Sequence, residues 1–258
     1  MFPLRCPPGS RLPGWPAAHR TSLLHQLAFP GFRQGGGIIG APSPFDAILW
    51  DNDGILVDSE FLYFEFTRDA LARLGVDLKI SDYQEINLRQ GKNVFMLAEA
   101  KGVTADVIAR TKEERNVLFR KRIIEGVEII DGVRETLETL HGRIPMAVVT
   151  SSHPENLESM HSDHGLEGFF ETVVAAGATR RFKPHPDPYL LAAERLSVRP
   201  DRCLVVEDSE RGLQAAVAAG MPCAAIPNEL TRVGDFSTAS FVLNDVRELL
   251  PIVLPDGA

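Results

Sequence analysis

Cysteine, long apolar runs and clustered positive charge are all scarce in this chain. Cysteine occurs only at positions 6, 203 and 223. That odd number, without metal-like spacing, excludes a disulfide framework and a cysteine zinc site. Cys203 and Cys223 head the apolar runs CLVV and CAAI, where a small buried thiol is expected, and a reducing cytoplasm fits. No apolar run approaches the roughly 20 residues a membrane span requires, so no membrane association is expected. Lys and Arg total 27 against 35 Asp and Glu, for a net charge of −8. Such a balance argues against nucleic acid as a partner, because phosphate backbones are held by clustered cations.

Acidic residues are entirely missing from residues 1–45, which hold Arg5, Arg11, Arg20 and Arg33. Pro3, Pro7, Pro8, Pro13, Pro16 and Pro30, then the run Gly35-Gly36-Gly37, break the same stretch. It cannot form a periodic apolar face, so it reads as a disordered extension. Arginine without acid also fits an organelle transit peptide, although the prolines spoil the amphipathic helix such a peptide needs. An over-extended translation start is a third reading. The glycine run is no phosphate loop, since it lacks a Gly-Lys-Ser/Thr ending and a preceding strand.

From residue 46 the pattern becomes regular. Ala47-Ile48-Leu49-Trp50 is a short apolar run ending at Asp51 and reads as a buried strand. Residues 59–75 are expected to be helical, and residues 80–125 are helical in spacing with no strong strand. After 133, helices alternate with strands at 144–149, 172–175, 203–207, 223–226 and 241–244, and a final helix is expected over 245–250. Alternation of this kind implies a parallel sheet with helices on both faces. The fold expected is therefore α/β: a Rossmann-like core formed by 46–60 and 128–258, with 61–127 inserted as an α-helical cap.

Ligands of open parallel sheets bind at the carboxyl ends of the strands. Here those ends carry Asp51-Asn52-Asp53-Gly54, Thr150-Ser151-Ser152 and Glu207-Asp208-Ser209, while Lys183 lies in the turn before the helix at 187. Carboxylates, hydroxyls and one lysine on a single edge are what a magnesium phosphate site needs.

The ordered segments WDNDGILVDSE, VVTSS, FKPHPDPYLLAAERL and VVEDSERGLQAAVAAGM resemble the four motifs of the haloacid dehalogenase superfamily. They are similar in particular to its branch with an inserted helical cap, which holds phosphoglycolate phosphatases, sugar-phosphate phosphatases and β-phosphoglucomutases. The resemblance covers about residues 46–250. It implies a Mg2+-dependent phosphatase acting on a small-molecule phosphate ester through an aspartyl-phosphate. Asp51 would be the nucleophile and Asp53 the general acid/base. Thr150, Ser151, Ser152 and Gly54 would meet the phosphate, and Lys183 would pair with Asp51 and the phosphate. Metal ligands would come from Asp51, the Asp53 backbone carbonyl, Asp208 and the neighbouring Glu207. Arg89 and Lys92, in the cap segment LRQGKN, would face a second anionic or hydroxyl-rich part of the substrate. A monomer or weak homodimer is expected.

Each of these residues has a plainer reading. Aspartates after a strand often cap a turn or helix, and Ser209 fits a helix N-cap as well as a site residue. Arg89 and Lys92 could be solvated surface cations. His153, His161 and His164 lack a fourth ligand for zinc and are read as exposed helix residues. The charged run 110–122 reads as a solvated face of a cap helix. Trp50 and Asn52 stand where the superfamily usually has Phe and an apolar residue, and nothing in the sequence accounts for Asn52. Tyr63 replaces the histidine that assists the acid/base in the mutase, which favours hydrolysis over the alternative of a phosphomutase. A third alternative is a non-catalytic relative that binds phosphorylated metabolites.

Overall fold

The computed structural model describes residues 43–255, residue 163 excepted. The readings made for residues 1–42, and for Cys6, lie outside them. Phe45, expected to belong to the extension, is buried in the core.

A six-stranded parallel sheet runs in the order β3-β2-β1-β4-β5-β6. Its strands are β1 (Ala47–Trp50), β2 (Met146–Val149), β3 (Thr172–Val174), β4 (Cys203–Glu207), β5 (Cys223–Ala225) and β6 (Phe241–Val242). Side chains alternate across each strand, and two separate apolar clusters follow from that. Ile48, Trp50, Met146, Val148, Leu204 and Val206 share one cluster. Helices α5 (Val133–Leu140), α6 (Pro154–Ser162) and α9 (Leu250–Val253) contribute to it. Ala47, Leu49, Ala147, Val149, Cys203 and Val205 form the other, against α7 (Asp187–Leu196) and α8 (Glu210–Ala218). Both cysteines there are buried free thiols.

Between β1 and α5 lies the helical cap. It contains α1 (Glu60–Arg73), α2 (Ile80–Asp82) running into a π-helical turn at Tyr83–Arg89, α3 (Met96–Glu99) and α4 (Ala105–Ile124). The cap gathers its own apolar cluster around Phe64, Leu71, Tyr83, Phe95 and Ile108. Its two connections to the sheet are tied to one another: the Asp58 amide donates to the Glu128 carbonyl at 2.9 Å, and the Ile130 amide to the Leu56 carbonyl at 3.1 Å.

The final segment differs from expectation. Residues 246–249 form a 3-10 turn that leads into the α-helix Leu250–Val253. Pro251 explains the break, because it lacks an amide to continue the earlier hydrogen-bond ladder and is tolerated in a helix's first turn.

Candidate active site

The strand ends deliver their polar residues to one place. Asp51, directly after β1, is buried, as are Thr150 after β2 and Asp208 after β4. Lys183 reaches the same point from the loop before α7. Its ammonium donates to Asp51 Oδ1 at 2.7 Å, Glu207 Oε1 at 2.7 Å and the Val149 carbonyl at 2.8 Å. All three of its donors are thereby used. Burial lowers the Lys183 pKa, but the Asp51 and Glu207 charges more than offset it, and the net shift is upward.

Glu207 is completely buried. Its Oε1 also accepts from the Tyr189 hydroxyl at 2.6 Å, and its Oε2 accepts from the Ser209 hydroxyl at 3.0 Å. Ser209 serves both roles weighed for it, because its Oγ also accepts from the Gly212 amide as the N-cap of α8. A Cβ on Gly212 would lie 1.8 Å from Glu207 Oε1, so only glycine lets the helix pass this carboxylate.

Asp53 sits on the loop beyond Asp51 in a ring of hydroxyls. Its Oδ1 accepts from Ser59 at 2.5 Å, and its Oδ2 from Thr150 at 3.0 Å and Ser152 at 2.8 Å. Ser59 is the N-cap residue of α1, yet its side chain makes no cap bond; the hydroxyl is committed to Asp53.

Asp51, Glu207 and Asp208 each place a carboxylate oxygen within 4.8 Å of the others. Burial first, then Glu207, push the Asp51 carboxyl up to about 8 against the pull of Lys183. Asp208 is raised by burial first, then by Glu207, Asp51 and Glu60. Three carboxylates thus share one ammonium, and the pocket is short of positive charge. The donors are hard oxygens. Gly54 (φ +84°) keeps the space beside them open, since its Cβ would fall 2.5 Å from Asp208 Oδ2. The site fits a hard divalent cation. Asp51 and Asp208 are the better donors, because Glu207 is already occupied by Lys183, Tyr189 and Ser209. Gly54 meets Asp208 and Asn228; it does not line the cavity described next.

A cavity of about 760 Å³ opens over these groups. Asp51, Asp53, Ser151, Ser152, Lys183 and Asp208 form its floor, and Glu60, Tyr63, Tyr83, Asn87, Arg115 and Asn116 form its cap wall. Burial and then Asp53 push Glu60 up to about 7, although Tyr83 donates to it at 2.9 Å. Tyr63 is a platform here, with the Arg115 guanidinium 4.5 Å from its ring centroid.

Several expectations change. Arg89 does not line the cavity: its guanidinium is held by Glu85 at 2.9 Å and Glu210 at 3.3 Å. Lys92 lines a smaller adjoining cavity instead. Only His153 of the three histidines is exposed. His161 is buried, and its Nε2 meets Asn52 Oδ1 at 2.8 Å, while Asn52 Nδ2 lies 3.4 Å from Met160 Sδ. That arrangement accounts for Asn52: α6 presents a polar partner where an apolar residue would otherwise pack. His164 is half-buried, with its ring nitrogen on the Val127 carbonyl. Arg115, within the run read as solvated, is only 9% exposed.

Residues given no role from the sequence include Asn228, whose side chain donates to Asp208 at 2.7 Å, and Tyr189, Ser59 and Glu60, which lie within the quoted motifs. Asn228 follows β5, so the strand-end rule would have found it had that strand been included.

The profile described as haloacid dehalogenase-like hydrolase matches residues 48–226. Fructose-1-phosphate phosphatase YqaB of Escherichia coli is 33% identical over 183 residues, covering 69% of this chain and 94% of that protein. The phosphorylated carbohydrates phosphatase of Thermotoga maritima is 35% identical over 182 residues, covering 68% and 82%. Among solved structures, a CbbY variant from Rhodobacter sphaeroides in complex with xylulose-(1,5)bisphosphate superposes with a TM-score of 0.64 at 29% identity, covering 80% of this chain and 96% of that one. With the motifs in order and their side chains converging on one sheet edge, the chain belongs to the haloacid dehalogenase-like hydrolase family.

Proposed function

We propose that this phosphatase hydrolyses a small phosphate monoester of the sugar-phosphate or phosphoglycolate type, using magnesium and an aspartyl-phosphate on Asp51. The observation that carries this reading is the convergence of Asp51, Asp53, Lys183 and Asp208 from separate segments onto the floor of one cavity, with Thr150 hydrogen-bonded to Asp53 beside it. Phosphatases of sugar phosphates among the relatives support the substrate class.

Asp51 Oδ attacks phosphorus, and the bond from phosphorus to the alcohol oxygen breaks. Asp53, held in place by Ser59, Thr150 and Ser152, gives the departing alkoxide its proton. Water then attacks the phosphoryl group on Asp51, Asp53 takes the water's proton, and inorganic phosphate leaves. Two displacements replace one difficult hydrolysis. Lys183 holds the Asp51 carboxylate beside an anionic phosphoryl group that would otherwise repel it. The hydroxyls of Thr150 and Ser152, which now donate to Asp53, are the donors that would meet a phosphate oxygen. Magnesium on Asp51, Asp208 and the Asp53 carbonyl would supply charge neutralisation at the phosphoryl oxygens.

The experiment is phosphate release from a panel of small esters, with magnesium and then with EDTA. Magnesium-dependent release concentrated on a few esters is expected. Conversion of a hexose 1-phosphate to the 6-phosphate without net phosphate release would replace this reading with the mutase.

A further inference from the structure

The turn that follows β5 faces two ways. On the sheet side, Asn228 commits its whole side-chain amide. Its Oδ1 accepts from the Leu230 and Thr231 amides at 2.9 and 3.1 Å, and its Nδ2 donates to Asp208 at 2.7 Å. The Thr231 hydroxyl closes the turn by accepting from the Asn228 amide at 3.0 Å. Because backbone amides hold the oxygen, the nitrogen is left to face the carboxylate. The aim of that donor therefore follows the turn wherever the turn goes.

On the other side, the same turn belongs to the cap. Among the described residues, Leu230 is the one member of the cap's apolar cluster that lies outside residues 63–108, and it is 2% exposed. Its carbonyl accepts from Gln84 Nε2 at 3.0 Å. Gln84 lies on the π-helical turn at Tyr83–Arg89, a rare conformation that is frequent at functional sites. Arg89, at the end of that turn, reaches the sheet domain as well, on Glu210 at 3.3 Å. A short chain of contacts thus runs from the cap interior through Leu230 and Asn228 to Asp208.

We propose that Leu230 and Gln84 are positioning residues for the cation site: by seating the 228–231 turn against the cap, they hold Asn228 on Asp208. Neither residue touches a carboxylate of the site. This rests on the magnesium reading of the site and deepens it by making cation affinity depend on cap packing. The dependence is reciprocal, because whatever the seated cap adds to cation affinity, the cation adds to the seating of the cap.

The test is the magnesium Kd of the full chain, measured by titration calorimetry without substrate. Leu230→Ala should raise Kd by about 10-fold, within the range for the supporting partners of a metal ligand. Leu230→Met, which nearly conserves volume, should keep the wild-type value. Gln84→Met removes only the donor and should raise Kd by about 2- to 10-fold, the range for one hydrogen bond. In an Asn228→Ala background neither Leu230→Ala nor Gln84→Met should weaken binding further, since both act through Asn228. A merely structural role would lower affinity equally with and without Asn228, and that result would overturn the inference. If Leu230→Ala fails to fold, Gln84→Met and its combination with Asn228→Ala decide the matter. Wild-type chain that binds magnesium, with Kd unchanged in both variants, would overturn the inference and leave the phosphatase reading standing. Wild-type chain that binds no magnesium and releases phosphate equally in EDTA would remove the magnesium reading and this inference with it.

Discussion

Lys183 and Arg115 are both buried cations on opposite walls of one cavity, and their surroundings differ completely. Lys183 has every proton placed, on two carboxylates and a carbonyl. Arg115 has only neutral acceptors and aromatic faces. On the sheet edge, Glu207 is positioned by Lys183, Tyr189 and Ser209, and Asp53 by three hydroxyls. Redundant contacts of that kind fix a reacting geometry before substrate arrives. In the cap wall the buried cation has no carboxylate partner among the described residues.

The sharpest way to break the comparison is at the nucleophile. Asp51→Asn should lower turnover by roughly 10⁴-fold or more while circular dichroism and thermal unfolding remain those of a folded chain. Retained phosphate release would remove Asp51 from the mechanism.

Lys183→Met removes the one ammonium among three carboxylates. Urea unfolding should show a loss of about 3–5 kcal/mol, the range for breaking a buried ion pair on one side, together with loss of activity. Arg115→Met leaves no buried carboxylate stranded and should cost clearly less stability. Equal losses at the two positions would erase the distinction.

A third prediction concerns pH. Burial holds the His161 imidazole down to about 4, against an ordinary value near 6.5. The unfolded chain therefore takes up a proton that the folded chain refuses between those values. Stability from this group is fully present above about pH 6.5 and falls as pH drops toward 4, by up to about 3 kcal/mol. Urea titrations of wild type and His161→Gln across that window should diverge, with the variant showing the shallower fall.

The smallest effect is expected at Asn228, which orients Asp208. Asn228→Ala should raise the magnesium concentration for half-maximal activity by about 10- to 100-fold, as for other partners of a metal ligand. Unchanged magnesium dependence would take Asp208 out of the metal set.

The sheet edge was legible in sequence because its logic is local. A short apolar run followed by Asp51-Asn52-Asp53, or by Thr150-Ser151-Ser152, announces both the strand and what stands at its end. The cap wall was not, because there the meaning of a residue depends on which helix face meets which neighbour. Arg115 sits among Lys112, Glu113, Glu114, Arg120 and Lys121, so its run reads as a solvated surface. Only the packing of α1 on α4 turns that one member inward. Arg89 and Lys92 were placed near the substrate by resemblance, and the ion pairs of Arg89 with Glu85 and Glu210 take it elsewhere. His161 was misread for the same reason: helical spacing gives a face, and it was Asn52, 109 residues away, that decided where the face points.

The two connections at the base of the cap, tied by Asp58 to Glu128 and Ile130 to Leu56, make residues 59–127 a cassette. Chain leaves and re-enters the sheet domain at nearly one point, so the core sees the whole insertion as a single loop. Loop-closure entropy grows only slowly with length. Insertions of quite different size or shape could therefore be grafted at this junction without disturbing β1 or the Asp51 loop, provided their own ends lie as close together.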